Sequence, residues 1–299
     1  MESDLSRADD SLTEIPSADA TVTREVAAMN SAAVSNAGST PPTPESASFV
    51  YALGRVAPRF PSVGVEKEFA QAAGRAETAG KTDRELTQEI LQSNRYLARQ
   101  ACWVFTVEGI ETYILVPRDP GDYSLLVDAL RAAPRATDVD VVIGVRGGVS
   151  SPVACNGLVV PVVIFDQLYS FDVDTLVRSI PKPDKISREK FEPTAEELLS
   201  RIMQLADNAG ATDEHRALNY LSVRYHAIYA QAAEMHGRDY SLTAVDVRPS
   251  RLSGVRVLVD VIFTFTNRQT GFVEQYYVRV DVTEEFPFLT NRLSTYYER

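Results

Sequence analysis

The segment Val255–Thr266 reads VRVLVDVIFTFT, and the segment Phe272–Thr283 reads FVEQYYVRVDVT. Apolar side chains occupy the odd positions of the first segment and most even positions of the second, so each segment has one apolar face. Alternation with a period of two is typical of a half-buried β-strand. The two segments therefore predict a C-terminal antiparallel β-hairpin whose Val/Phe face is turned toward a core.

Two registers of this hairpin keep the apolar faces together. In the first register, Val259 lies opposite Val278. In the second, which is shifted by two residues, Val259 lies opposite Val280 and Asp260 lies opposite Arg279. A shift by one residue would place valines against polar side chains and is excluded, whereas the other two registers both remain open.

The opposite face of the hairpin carries a mixture of charged, aromatic and aliphatic side chains, among them Tyr277 and Arg279. This mixture is too polar for a protein core and too apolar for a surface that contacts only water. We therefore predict that Tyr277 and Arg279 contribute to a binding face for a peptide or a partner protein.

Two helices are predicted before the hairpin. Thr194–Glu197 has the pattern of a capping box that opens a helix ending near Asn208. A long helix follows over Thr212–Met235, with apolar residues spaced by three and four. We expect these helices to form a helical hairpin that covers the Val/Phe face, with Leu242–Pro249 as an additional strand of the sheet.

The part of the chain upstream of these helices also mixes strands and helices. Strands are predicted at 48–58, 138–145 and 158–171, and a hairpin at 102–117 with its turn at Glu108–Gly109. Helices are predicted after Ser62, after Thr82, within 119–133 and within 170–183. Strict alternation of strand and helix is missing, so the predicted fold class is α+β, with mixed and antiparallel sheets against packed helices.

Three regions are predicted along the chain. Residues 1–47 are acidic and rich in Ser, Ala, Thr and Pro, with few large apolar side chains, and are expected to form a disordered tail. Residues 48–185 are predicted to form an α+β lobe, and residues 186–299 a lobe of helical hairpin and antiparallel sheet. The polar stretch Lys182–Glu192 is the expected boundary.

Composition excludes several classes of function. The formal charge is −11, which disfavours binding to nucleic acid. No apolar run has the length of a membrane helix, and the N-terminus lacks the features of a secretory signal. We therefore expect a cytoplasmic protein without membrane or nucleic-acid partners.

The residues that most often carry chemistry give no catalytic or metal site. His215 and His226 fall on one predicted helix about 16 Å apart, too far to share a metal ion. Two cysteines are too few for a disulfide framework. Cys102 is expected in the core, while Cys155 in a loop is a weak candidate for an exposed nucleophile. No cofactor is predicted.

A cluster of charges lies where the first strand leads into the first helix. Arg55 and Arg59 belong to the strand and its end, and Glu66 and Glu68 to the first turns of the helix. One interpretation is a paired network that fixes the corner between strand and helix. The other is a site that binds a carboxylate or a peptide.

Four blocks of sequence carry a family resemblance. They are Ser48–Gly80, Asn94–Pro120, Asp138–Gly147 and Cys155–Pro183. In them the chain resembles the C-terminal domain shared by the two subtilisin-like proteases of cyanobactin (patellamide-type) biosynthesis, over a region from about Ser48 to the C-terminus. The resemblance implies a domain that accompanies a protease acting on a ribosomally made precursor peptide and that has no assigned activity, so it supplies no catalytic residue.

An acidic segment, rather than a protease domain, precedes the region of resemblance in this sequence, so we expect no protease activity. The predicted function is that of a non-catalytic accessory module that binds a precursor peptide or a peptide-processing enzyme. An enzyme of unrecognised reaction and a structural dimerisation domain, which would form a homodimer, are the alternatives.

Overall fold

The computed structural model describes residues 48–76, 79–135, 137–180, 187–203 and 208–297. The tail predicted for 1–47 lies outside the described residues, as do residues 182–186 of the predicted boundary between the lobes. The division into two lobes near residue 185 therefore stays a prediction.

Five strands of the N-terminal half close into a barrel in the order β1-β2-β3-β5-β4. Their bounds are β1 Ser48–Arg59, β2 Cys102–Val107, β3 Ile110–Pro117, β4 Asp138–Val149 and β5 Pro161–Asp172. The long strand β1 pairs with β4 through its first half and with β2 through its second half. Strands β3 and β5 are parallel and the other pairs are antiparallel, so the sheet is mixed, as predicted.

The turn between β2 and β3 is the predicted one. Glu108 and Gly109 both have positive φ, 50° and 83°, and Val107 pairs with Ile110 across them. Regular pairing beyond this turn would place Phe105 opposite Thr112, which is the register that the sequence predicts. That register is wrong by one residue, because a bulge after Phe105 pairs it with Tyr113 instead. The bulge lets both aromatic side chains enter the barrel core, where they are buried.

Within the described residues, four helices pack against the barrel. They are α1 Val63–Ala73, α2 Asp83–Ser93, α3 Arg95–Gln100 and α4 Tyr123–Asp128, and a 3₁₀ turn at Pro120–Asp122 precedes α4. The predicted caps are confirmed, since the Ser62 hydroxyl accepts from the Val65 N–H, and Thr82 and Glu85 form a capping box. Helix α4 is shorter than predicted.

The second sheet consists of β6 Tyr240–Pro249, β7 Leu258–Asn267 and β8 Val273–Asp281, with the short strands β9 Phe288–Leu289 and β10 Ser294–Thr295 beside β8. Of the two registers left open, the structure has the second: Val259 lies opposite Val280, and Asp260 opposite Arg279. This register brings two opposite charges together and leaves Phe272 exposed beside the turn.

The remaining helices are α5 Val173–Ser179, α6 Arg188–Met203, α7 Asp213–Arg224 and α8 Ala227–Gly237. The predicted helix start at Thr194 is wrong, because α6 begins at Arg188 and the Thr194 hydroxyl donates to the Lys190 carbonyl within it. Among the described residues, no helix has both the length and the hydropathy that crossing a membrane requires.

The single long helix predicted for 212–235 is also wrong, because the chain leaves the helix at Tyr225 and starts α8 two residues later. The break is supported by hydrogen bonds from outside the helical ladder. The Tyr229 hydroxyl donates to the Ser222 carbonyl at 2.6 Å, and the Tyr225 hydroxyl accepts from the Leu293 N–H at 3.0 Å.

The Val/Phe face is covered by helices, as predicted. Side chains of α6, α7 and α8 pack with those of the sheet in one continuous core that includes Leu198, Leu218, Leu221, Tyr229, Val259, Val261, Phe263, Phe265, Val278 and Val280. With a mixed barrel, an antiparallel sheet and helices packed on both, the fold is α+β.

Candidate binding face

The side of β6, β7 and β8 that points away from α6–α8 is called here the outer face. Strand register places Arg248, Asp260 and Arg279 in one row across the three strands. Tyr277 lies in the next row, and Tyr296 reaches over it from the C-terminal segment. The outer face is therefore built around arginine and tyrosine side chains.

The central contact of the outer face is an ion pair between Asp260 and Arg279. The Nε and Nη2 atoms of Arg279 donate to the two carboxylate oxygens of Asp260 at 2.7 and 3.2 Å. The arginine and aspartate side chains are 18% and 12% exposed. The hydrogen bond to Asp260 raises the pKa of Arg279. This arginine is thus committed to the sheet and positions its neighbours.

Tyrosine rings extend the contact on both sides. The guanidinium of Arg279 lies 5.7 Å from the Tyr277 ring centroid, and the ring of Tyr277 meets that of Tyr296 edge-on at 5.7 Å. Arg248 stacks on the Tyr296 ring at 5.1 Å and also donates to its hydroxyl. Tyr296 directly follows strand β10, and its own main-chain N–H donates to the Gln275 carbonyl of β8 at 2.8 Å, which holds it in place.

Sequence reasoning placed Tyr277 and Arg279 on one face but missed Arg248 and Tyr296. Arg248 had a usable signal, because it alternates with the apolar positions of a strand that was predicted to join the sheet. Tyr296 had none, since its position depends on the two-residue strand β10.

The other four predicted binding residues lie apart from the outer face, at the barrel. Arg59 pairs with Glu111 of β3, at 2.9 and 3.0 Å, rather than with a glutamate of α1. Arg55 lines a cavity of about 440 Å³ next to the turn between β2 and β3. Glu66 and Glu68 lie on the exposed side of α1. The binding role of this cluster stays a prediction.

A carboxyl pair that was not predicted from the sequence connects β5 to the segment after β8. Arg118 donates to both carboxylate oxygens of Asp166, at 2.5 and 2.6 Å, and its Nη2 lies 3.9 Å from the Glu285 carboxylate. Burial, followed by the hydrogen bond and charge of Asp166, raises the pKa of Glu285 to about 7. Although burial opposes it, hydrogen bonds from Arg118 and Glu285 lower the pKa of Asp166.

The prediction that Cys102 lies in the core is confirmed. The other cysteine predictions are wrong, because Cys102 and Cys155 form a disulfide. The bond joins the start of β2 to a 3₁₀ turn at Pro152–Cys155, and both residues are buried in a small cluster with Val104 and Ile114. Cys155 is therefore neither exposed nor a thiol, and it provides no nucleophile.

The prediction that His215 and His226 share one helix is wrong. His215 is in the first turn of α7, while His226 directly precedes α8, where burial lowers its pKa. In the part of the chain that the structure describes, no group of three or more metal-ligating side chains comes together.

Comparison with known proteins identifies the fold. Residues 185–296 match the family model described as PatG C-terminal. A solved structure, the PatG Domain of Unknown Function, aligns with a TM-score of 0.68 over 83% of this chain and 98% of its own, at 22% sequence identity. None of the curated proteins matches the sequence. The resemblance predicted from the sequence is confirmed, and it is to a domain without an assigned function.

Proposed function

We propose, from the fold shared with the PatG Domain of Unknown Function, that this chain is a non-catalytic binding module in the maturation of ribosomally synthesised peptides. It holds a precursor peptide, or an enzyme that processes one. The outer face of the second sheet is its binding surface. The precursor peptide is the occupant that we test first.

The observation that carries this proposal is a continuous series of side-chain contacts on the outer face. It runs from Arg248 to Tyr296, from Tyr296 to Tyr277, and from Tyr277 to Arg279. Tyrosine and arginine are enriched at the centres of binding interfaces, because they combine a large contact area with hydrogen-bond donors. Here ion pairing and ring contacts fix their positions before any partner arrives, which lowers the entropy lost on binding.

The geometry of the sheet favours an extended peptide. In the described part of the chain, β6 pairs with β7 and carries no strand along its other edge. Asp246 and Arg248 are exposed on this outermost strand. A peptide lying along β6 could use the main-chain groups of that edge while its side chains contact Arg248 and Tyr296.

The test is calorimetry with a precursor peptide whose gene lies beside that of this protein. Tyr277→Ala and Arg248→Ala should each weaken binding, and together by about tenfold or more, equivalent to about 1.4 kcal/mol. Arg279→Ala is a poor probe, because it would leave the largely buried Asp260 without its partner and destabilise the sheet.

Arg178→Ala, an exposed arginine on α5, and Tyr96→Ala, an exposed tyrosine on α3, are the matched controls and should bind as the wild type does. Equal affinity of the outer-face variants and the wild type would refute the role of this face. If the processing enzyme binds and the peptide does not, the partner is the enzyme, and the outer face is still the binding surface.

The carboxyl pair of Asp166 and Glu285 favours one alternative, an enzyme of unrecognised reaction, because a carboxyl with a pKa of about 7 is suited to proton transfer. Mass spectrometry of the peptide after incubation separates the two functions. An altered peptide mass that is lost in Glu285→Gln would establish catalysis and overturn the binding-only proposal.

A further inference from the structure

A second cavity lies on the barrel side, between α2, α3 and the start of α4, and its volume is about 360 Å³. Its apolar floor is formed by three buried side chains, Leu91, Ala98 and Val127. Its walls carry the polar side chains Arg95, Arg99, Tyr123 and Asp128. The cavity thus combines an apolar floor with two guanidinium groups.

Arg95 and Arg99 both lie on α3, one of the helices that pack on the barrel. Among the described residues, neither guanidinium group has an ion-pair or hydrogen-bond partner. Neighbouring arginines are engaged. Arg84 donates to the carbonyls of Leu130 and Arg131, and Arg131 itself pairs with a carboxylate of β4.

The positions of the two arginines are unfavourable without a ligand. They are four residues apart on α3, and like charges at this spacing destabilise a helix by about 0.2–0.5 kcal/mol. A cation in the last turn, such as Arg99, has an ordinary explanation in the helix dipole, but Arg95 stands at the first residue, where the dipole opposes it. An anion between them would remove both penalties.

We propose that this cavity binds an acidic segment of a peptide. One carboxylate of the peptide is held between the guanidinium groups of Arg95 and Arg99, and an adjacent apolar side chain rests on the floor at Leu91 and Val127. Planar guanidinium groups match the two oxygens of a carboxylate and form charge-assisted hydrogen bonds with it. The Tyr123 hydroxyl is a further donor at the wall.

The charge of the walls favours an anionic occupant. The two guanidinium groups outweigh Asp128 and leave a net charge of about one positive unit among Arg95, Arg99 and Asp128, which a single carboxylate neutralises. The chain as a whole carries a formal charge of −11, which disfavours a nucleic acid at the same place.

This site is separate from the outer face, because it is formed by helices that pack on the barrel while the outer face belongs to β6–β8. The two surfaces can therefore be tested independently. A failure here leaves the proposed function standing, and variants of Arg248 or Tyr277 should not change binding at the cavity.

The experiment uses the full chain and the capped peptide Ac-Gly-Leu-Glu-Leu-Gly-NH₂, with chemical-shift titration as the readout. The wild type should bind this peptide, and the NMR signals of residues in α3 and α4 should change their chemical shifts. The double variant Arg95→Gln/Arg99→Gln should bind at least tenfold more weakly. The same peptide with Gln in place of Glu should lose binding to a similar extent. Arg75→Gln, an exposed arginine on the barrel side that lies outside this cavity, is the control.

Replacement of both arginines by lysine keeps the charge and removes the planar fork, so it should give intermediate affinity. The side chains are exposed, so the lysine variant should unfold at the same denaturant concentration as the wild type. The glutamine variant should unfold at the same or a slightly higher concentration, because it also loses the repulsion between the two like charges. Unchanged affinity in the glutamine variant, equal binding of the Gln peptide, tighter binding of a phosphoserine peptide, or no binding of the Glu peptide at millimolar concentration would each overturn the proposal.

Discussion

The side-chain amide of Asn219 in α7 donates a buried hydrogen bond to the main-chain carbonyl of Tyr51 in β1, with the nitrogen and oxygen 2.8 Å apart. The N–H of Tyr51 donates in turn to the carbonyl of Gly210, at 2.9 Å. Asn208 and Asn219 exchange two more hydrogen bonds through their side-chain amides. One residue of the barrel is thus held by polar groups from the helical region.

Removing the Asn219 amide should lower the stability of the whole described fold. Asn219→Ala leaves the Tyr51 carbonyl and the Asn208 amide without partners in a buried site, which costs about 1–3 kcal/mol per unsatisfied group. Asn219→Asp should cost more, because a carboxylate would face the carbonyl. Urea unfolding monitored by circular dichroism gives the measurement. A change below about 0.5 kcal/mol for the alanine variant would contradict the role assigned to this contact.

Gly210 should tolerate no side chain. Its φ is +71°, and a Cβ atom there would lie 2.3 Å from the Tyr51 carbonyl oxygen. The left-handed conformation alone costs a residue other than glycine about 1–2 kcal/mol, and the close approach adds to that. Gly210→Ala is therefore expected to lower the free energy of unfolding by more than about 2 kcal/mol. Gly148→Ala, where a Cβ meets nothing within 4 Å, is the control and should unfold near the wild type.

The parts of the fold that were predictable from the sequence are those fixed by neighbouring residues. Ser62 and the Thr82–Glu85 box cap their helices with side chains only three residues away. Glu108–Gly109 turns the chain because its own backbone takes positive φ, and the Val/Phe face follows from alternation within each strand. Local chemistry decides such elements before tertiary contacts form.

The features that were left open or missed depend on partners distant in sequence. The shift of the second hairpin is favoured by the ion pair between Asp260 and Arg279, and the helix break at Tyr225 by a hydrogen bond from Leu293. At the candidate site, the same limit applied. Alternation placed Tyr277 on the outer face, but only the folded chain brings Tyr296 across to it.

The disulfide between Cys102 and Cys155 should contribute substantially to stability. It closes a loop with a sequence separation of 53 residues, and a disulfide of this kind typically stabilises a protein by about 2–4 kcal/mol. Cys102→Ser with Cys155→Ser should lower the unfolding free energy by that amount. When the protein is denatured without a reductant, a thiol-labelling reagent should find no free cysteine. Labelling of both cysteines in that sample would show that the disulfide does not form.

The stability of the fold should also depend on the ionisation of Glu285. Its pKa is raised to about 7 from an ordinary value of 4.5, so between these pH values the folded protein holds a proton that the unfolded chain has released. Stability from this group is full below about pH 4.5 and is lost as the pH rises through about 7. Asp166, whose pKa is lowered, acts in the opposite direction and at lower pH, where its contribution is lost as the pH falls.

His226 titrates in an overlapping range with the opposite sign, because burial lowers its pKa and favours the neutral ring in the folded state. The informative quantity is therefore the difference between wild type and Glu285→Gln, in which the histidine cancels. This difference in unfolding free energy should change with pH between 5 and 7 by at most about 1.4 kcal/mol per pH unit, the slope for one proton. The direction is fixed: the wild type should lose stability relative to the glutamine variant as the pH rises. A difference that stays constant across this range would mean that Glu285 keeps its ordinary pKa and that its pairing with Asp166 does not hold a proton.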